Sequence, residues 1–419
     1  MGLRLLIRPG CWLLTGALLG VLTLVLGLLL SAAVVALAPL PATPAVRWAA
    51  DSATVKTAAG PQYAAGWSWQ LFWGGHRRAA WTTSVTARVL RLGAAAPGGL
   101  RPVQAGGTNQ SHALRLRTDD GREFVLRSVD KDARAALPAG WPRRLLGGLM
   151  RDQTSSGHPY AAYVAARLAQ AAGVLHTNPQ LVYVGHSAAL GPYEPAFDNA
   201  LYLLEERPEG DQRHAPSLGR SSHVISSAHL RDGLGRRAPS PATARAFLRA
   251  RLLDMWLGDW SRRPDQWRWA TFAVPGDSTR LEYRPIPRDR DQAFFQLNDG
   301  LFPGLISFFV PKYQSFRAEM TAGNVAGLRR SARPLDLLLL RNLARQDFLA
   351  EADSMQRRLT NSAIADALQA GPPEVRAEMA AQLGYRLRAR RAQLPAVANW
   401  FFEQLQTDKA PIPTTAWRN

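Results

Sequence analysis

The chain has 419 residues, 47% apolar and 20% charged, enough to build a sizeable core, which excludes a wholly disordered protein. One cysteine, Cys11, excludes an intramolecular disulfide framework and a cysteine-based zinc cluster. The net charge of +19 rests on 51 basic against 32 acidic residues, with Lys56, Lys131, Lys312 and Lys409 the only lysines. Most arginines stand in isolated pairs such as Arg77-Arg78 and Arg236-Arg237, not in the runs of about five to eight like charges that make a nucleic-acid arm. Nucleic acid is therefore not an expected partner; an anionic surface or substrate is.

Residues 9–46 carry no charged side chain, and Cys11–Leu40 is almost wholly apolar. That is longer than the roughly 7–15 residues of a signal-peptide core and long enough for a spanning helix of about 20. Arg4 and Arg8 precede it, so the positive-inside rule puts residues 1–10 in the cytoplasm. We expect a single transmembrane anchor over 11–40, with the rest of the chain across the membrane. The alternative is a cleaved secretory signal, because small residues follow at Pro41–Ala45.

Residues 41–100 form a Trp- and Gly-rich extension with two or three extended pieces. In it Trp67–Trp73 is apolar and aromatic, fit for a core or a membrane interface. Gly106–Ser111 is a small polar loop. Ala113–Leu116 and Glu123–Val129 alternate around Asp119-Asp120-Gly121, a hairpin pattern. A helix reads over 159–172, ended by Gly173, and strands over Gln180–Val184 and Ala200–Glu205. Arg207–Ser240, dense in Gly, Ser, Pro, Arg and His, reads as a long polar loop or partly disordered insert. From Thr243 the pattern is helical, with Phe247, Leu248, Leu252, Leu253 and Trp256 on one stripe, and beyond 335 almost everything is. Strands first and helices later predict an α+β fold.

Three segments combine polar density with a defined context. Glycines in Gly106-Gly107-Thr108-Asn109-Gln110-Ser111 let backbone N–H groups approach an anion, although Gly-Gly-Thr-Asn is also an ordinary turn. Asp259 to Trp267 follows an apolar helix that carries Asp254, and Pro285 to Phe294 follows the strand-like Leu281–Arg284. Two acidic clusters so placed suit Mg²⁺, which takes one or two carboxylates with an amide or water and a phosphate ligand. The competing reading is that Asp259 pairs with Arg262, and Asp289 with Arg290.

This order of loop, basic strand, helix, hinge strand ending Glu205-Glu206, catalytic-type loop and strand plus Asp resembles a protein-kinase-like fold. The motifs are similar to those of atypical secretory and bacterial kinases: the spore-coat CotH kinases, the secretory-pathway casein kinases and HipA. Pro287-Arg288-Asp289-Arg290-Asp291-Gln292-Ala293-Phe294 resembles their metal-binding Pro-x-Asp-x-Asp-x-x-Phe segment. Residues 259–267 resemble a Gly-Asp-Trp-Asp-Arg-His-x-Asp-Gln-Trp loop of bacterial envelope proteins. The resemblance implies a two-lobed α+β architecture: a β-rich N-lobe over 101–206, a polar loop over 207–242 and a helical C-lobe over 243–419. It further implies ATP and Mg²⁺, with Gly106, Gly107, Gln110, Ser111, Arg127, Lys131 and Glu205 on the nucleotide, Gln266, Asp289 and Asp291 on the metal, and Asp259 as the base. Together with the anchor, it implies a bacterial inner-membrane protein with its bulk on the periplasmic side, phosphorylating a protein or an anionic envelope polymer.

The chain also departs from that pattern. Ser261-Arg262-Arg263 stands where Asp-Arg-His is expected, Arg127 stands where a strand lysine is expected, and no Glu lies within 159–172. A non-catalytic pseudokinase-type scaffold is the alternative. The eight histidines lack paired metal spacing and no Gly-x-Ser-x-Gly occurs, which argues against a zinc or serine hydrolase.

Overall fold

A computed structural model of the chain describes residues 16, 18–27, 30, 52–107, 112–235, 237–274, 276–310 and 313–408. No helix among the described residues is long and apolar enough to cross a membrane. This corrects the expected transmembrane anchor and, with it, the inner-membrane localisation. Most of the span 11–40 lies outside the described residues.

Strands β1 (Thr54–Ala58) and β2 (Ser84–Val89) bracket two short helices, α1 (Trp67–Trp73) and α2 (Arg78–Thr82). The α1 segment is thus helical, not extended. Helical spacing sets Trp69 beside Trp73, ring centroids 5.8 Å apart. It leaves Trp67 and Leu71 exposed. Then come β3 (Arg101–Gly106), β4 (Ala113–Arg117), β5 (Glu123–Ser128), α3 (Trp141–Asp152), α4 (Ala161–Ala172), β6 (Gln180–Val184) and β7 (Ala200–Glu206).

The seven strands form one sheet in the order β1-β2-β6-β7-β5-β4-β3. All pairings are antiparallel except β2–β6. The β4–β5 hairpin runs in register from Ala113 opposite Arg127 to Arg117 opposite Glu123, as its alternation predicts. Leu114, Leu116, Leu126, Val182 and Leu204 fill one face; Val164, Ala165 and Leu168 of α4 pack on the other with Tyr183 and Leu203. Burying both faces fixes the register, because a one-residue slip would turn the apolar set outward.

Residues 207–242 are more ordered than a loop. They contain β8 (Val224–Ser226) and α5 (Ser227–Leu234), with the Ser226 hydroxyl accepting from the His229 N–H. Ala215, Leu218 and Val224 are buried against Ala270 and Ile286, and Leu230 and Leu234 reach the main core, which is what holds it. Helix α6 (Pro241–Leu257) follows, capped by Ser240 and buried along most of its length. Next, β9 (Trp267–Val274) and β10 (Asp277–Pro287) extend β8 into a three-stranded sheet. Helix α7 (Leu301–Phe309) lies on α1, where Phe302 meets Trp73 at 4.9 Å and Phe72 at 5.8 Å. From there the chain is helical: α8 (Ala322–Arg329), α9 (Arg333–Leu340), α10 (Arg345–Arg358), α11 (Asn361–Leu368), α12 (Arg376–Ala392) and α13 (Leu394–Thr407).

Candidate functional site

Two turns build the site. Helix α6 ends at Gly258, whose φ of 69° is the left-handed geometry that lets a chain leave a helix sharply. Asp259 follows, fully buried: its Oδ1 accepts from the Ser261 N–H at 3.1 Å and its Oδ2 pairs with Arg262 Nη2 at 3.1 Å. Arg262 also donates 2.8 Å bonds to the carbonyls of Arg288 and Asp289, so this loop holds the turn after β10.

The same turn is gripped from below. Arg290 reaches Asp254 of α6 at 2.8 Å, and Asp254 pairs with Arg251, which reaches Asp336 at 2.8 Å. The expected Asp289–Arg290 pair therefore does not form. Asp289 instead adopts φ +59°, uncommon for a residue with a Cβ, and presents its carboxylate to the opposite side.

There it meets the seven-stranded sheet. A cleft with a cavity of about 390 Å³ lies between β5, α4 and the 287–295 segment. Arg127 Nε pairs with Glu205 at 2.6 Å, and Arg127 Nη1 lies 3.6 Å from Asp289 Oδ2. Glu205 accepts from Thr177 Oγ1 at 2.5 Å. Lys131 pairs with Asp291. Gln266 approaches Asp289 from β9's leading turn, and with its amide turned over the nitrogen donates to Oδ2 at 3.2 Å and the oxygen accepts from Arg263 at 3.1 Å. Val129, Ala162, Leu203, Trp260 and Phe295 line the apolar part of the cleft.

Electrostatics follow from these contacts. Burial alone would raise the Asp289 pKa, but Arg127, Lys131, Arg288 and Arg262 outweigh it and hold the carboxyl below its usual range. Burial would likewise depress Arg127, and Asp289 with Glu205 more than offset it. Asp259 goes the other way: burial pushes it up to about 6, against the pull of Arg262.

Of the residues singled out in the sequence, Arg127, Lys131, Glu205, Asp289 and Asp291 line one cleft, and Gln266 touches it through Asp289. Asp259 does not line it; its carboxylate is sealed against Arg262. Gly106 closes the β3–β4 ladder opposite Ala113, and neither it nor Gly107 lines the cavity. Gln110 and Ser111 lie outside the described residues. Sequence reasoning missed Thr177, and it gave Arg290 to Asp289 because a neighbour in sequence is the simpler pairing. Asp152, the acid nearest the expected helix, is held by Arg78 at 2.7 Å, so the cation of β5 finds its carboxylate on β7 instead.

Among the described residues no group of three or more His, Cys, Asp or Glu could hold a metal ion alone. Two carboxylates and an amide, each already in contact with a cation, fit Mg²⁺ delivered with a phosphate ligand rather than an all-protein cage.

The element order runs through a glycine-bearing hairpin, a basic strand, a helix, a further strand, a polar loop and an acidic turn, the α+β order on which the sequence resemblance rests. No protein-family model matches the chain, and no curated protein matches it. Among the solved structures similar to the chain are these two. The Helicobacter pylori proinflammatory kinase CtkA is 11% identical, covers 73% of this chain and 96% of its own, and has a TM-score of 0.35. HipA of the Shewanella oneidensis MR-1 toxin–antitoxin system, solved with HipB and operator DNA, is 15% identical, covers 76% and 78%, and has a TM-score of 0.36.

Proposed function

We propose that this protein binds a phosphate-bearing nucleotide such as ATP with Mg²⁺ in the cleft between its sheet and its helical half, and transfers phosphate slowly or not at all. The observation that carries the reading is the chain of charges Glu205–Arg127–Asp289 and Lys131–Asp291 along one wall. Each cation can be handed to a phosphate oxygen and each carboxylate to a metal without leaving a charge unpaired. Mg²⁺, when bound, would neutralise phosphate charge; Asp289, Asp291 and Gln266 are the residues that would hold it. Arg127 and Lys131 orient the phosphates, and Val129 and Leu203 keep water from them.

Turnover lacks a reachable base. A general base must reach the proton it takes. Asp259 has no solvent exposure and is committed to Arg262 and to the Ser261 N–H, and Ser261 occupies the place of the expected loop aspartate.

Thermal shift with ATP and Mg²⁺ tests binding: the melting temperature should rise, and the rise should vanish in Asp289→Ala and Asp291→Ala. No shift at millimolar nucleotide would overturn the nucleotide reading. Labelled phosphate should not be incorporated above background; incorporation that Asp259→Ala abolishes would overturn the low-turnover reading.

A further inference from the structure

Beside the cleft stand two guanidiniums that the charge chain above does not use. Arg268 on β9 and Arg288 just after β10 sit on adjacent strands: Arg268 opposes Ile286, and the Arg288 N–H bonds the Gln266 carbonyl at 2.9 Å. Both side chains converge on a single acceptor, the Asp265 carbonyl, Arg268 through Nη1 and Arg288 through Nη2, each at 3.4 Å. Arg268 also reaches the Trp267 carbonyl at 3.0 Å. Arg288 Nε is buried without a hydrogen-bond partner. Among the described residues neither guanidinium forms an ion pair, because the carboxylates around them are taken: Asp265 by Arg263, Glu209 by Arg207, and Glu205 and Asp289 by Arg127.

Two partly buried like charges on one carbonyl are an expensive arrangement unless an anion neutralises them. A forked donor matches phosphate oxygens with paired bonds, which an ammonium cannot do.

We propose that Arg268 and Arg288 form an anion subsite beside the cleft, adjoining Asp289 and Gln266, for a second phosphate group of a polyphosphate-bearing ligand, and that this subsite works without a divalent cation. The proposal rests on the cleft being a phosphate site, but it depends on different residues from the metal-linked half. It makes the phosphate chain, more than the base or sugar, the recognised part of the ligand.

Inorganic tripolyphosphate titrated into the full chain in EDTA is the test. We expect saturable binding that weakens about tenfold or more in the Arg268→Gln/Arg288→Gln pair. A matched removal of two exposed arginines elsewhere, Arg330→Gln/Arg341→Gln, should leave affinity unchanged within about twofold. The charge-preserving pair Arg268→Lys/Arg288→Lys should bind more weakly than the parent, because the fork is lost, yet more tightly than the Gln pair, which separates loss of the site from loss of the fold. No tripolyphosphate binding in EDTA, equal weakening by both Gln pairs, or a Lys pair as weak as the Arg268/Arg288 Gln pair would overturn the proposal. Failure of the Mg²⁺-ATP reading shows up separately, as nucleotide stabilisation that is absent or indifferent to Asp289→Ala.

Discussion

Arg262 lies 3.1 Å from Asp259 Oδ2 and donates to the carbonyls of Arg288 and Asp289 at 2.8 Å each. One buried guanidinium thus joins the polar loop after α6 to the acidic turn after β10. The expected base is consumed as the counter-ion that makes this clamp affordable.

Removing the clamp should therefore cost stability before it costs chemistry. Arg262→Ala leaves Asp259 buried without its cation and two carbonyls without donors, a loss of about 3–5 kcal/mol. Arg262→Lys should recover only part of it, because a single ammonium cannot serve three acceptors in the same fork geometry. Urea denaturation measures both, and an alanine variant within about 0.5 kcal/mol of the parent would contradict the clamp.

A second prediction concerns acid. His158 is buried at the cleft, its Nδ1 accepting from the Tyr160 N–H at 3.1 Å, and burial with nearby Arg77 pulls its pKa down to about 3. Between that value and the ordinary 6.5 the unfolded chain binds a proton that the folded chain refuses. Stability from this group is thus present above about pH 6.5 and lost as pH falls, by about 1.4 kcal/mol per unit. Asp259, raised to about 6, works in the opposite sense: its contribution is full below about pH 3.8 and lost as pH rises through 6. The two slopes oppose each other between about pH 4 and 6. His158→Asn keeps an acceptor for the Tyr160 N–H and removes the titration. Its stability relative to the parent should climb as pH falls from 6 to 4, and a constant difference would refute the assignment.

The junction of α1 and α7 yields a steric prediction. Gly300 lies so close to the preceding helix end that a Cβ there would meet the Gly74 backbone nitrogen and, at 2.8 Å, Gly74 Cα and the Trp73 carbonyl carbon. These are backbone atoms and cannot swing away. Gly300→Ala should cost about 1–3 kcal/mol and loosen the wall formed by Pro303 and Ile306, seen as a lower melting temperature and a weaker nucleotide-induced rise.

The fold was legible where local pattern and tertiary demand agree. The β4–β5 alternation, the α4 run ending at Gly173 and the apolar stripe of α6 each carry their element in a few residues. Residues 207–242 misled because their order depends on Ala215, Leu218 and Val224 meeting Ala270 and Ile286, some 50 residues away in sequence or more, and on Leu230 and Leu234 entering the main core, which composition cannot report. Helix α1 misled because seven nearly all-apolar residues have no period to read. At the site, residue types and neighbourhood were legible, and partners were not. Asp259–Arg262 is an i,i+3 pair and was foreseeable; Arg290–Asp254 and Arg127–Glu205 bridge 36 and 78 positions and depend on the fold. The membrane anchor was inferred from length and hydropathy alone, and no described helix meets the requirement.

The most direct test of the account is calorimetric titration of ATP with Mg²⁺ into the full chain and into Asp289→Asn, a variant that keeps the shape of the side chain and removes its charge. The account predicts saturable binding to the parent, weakened about tenfold or more in the variant. No binding to the parent, or equal affinity in both proteins, would contradict it.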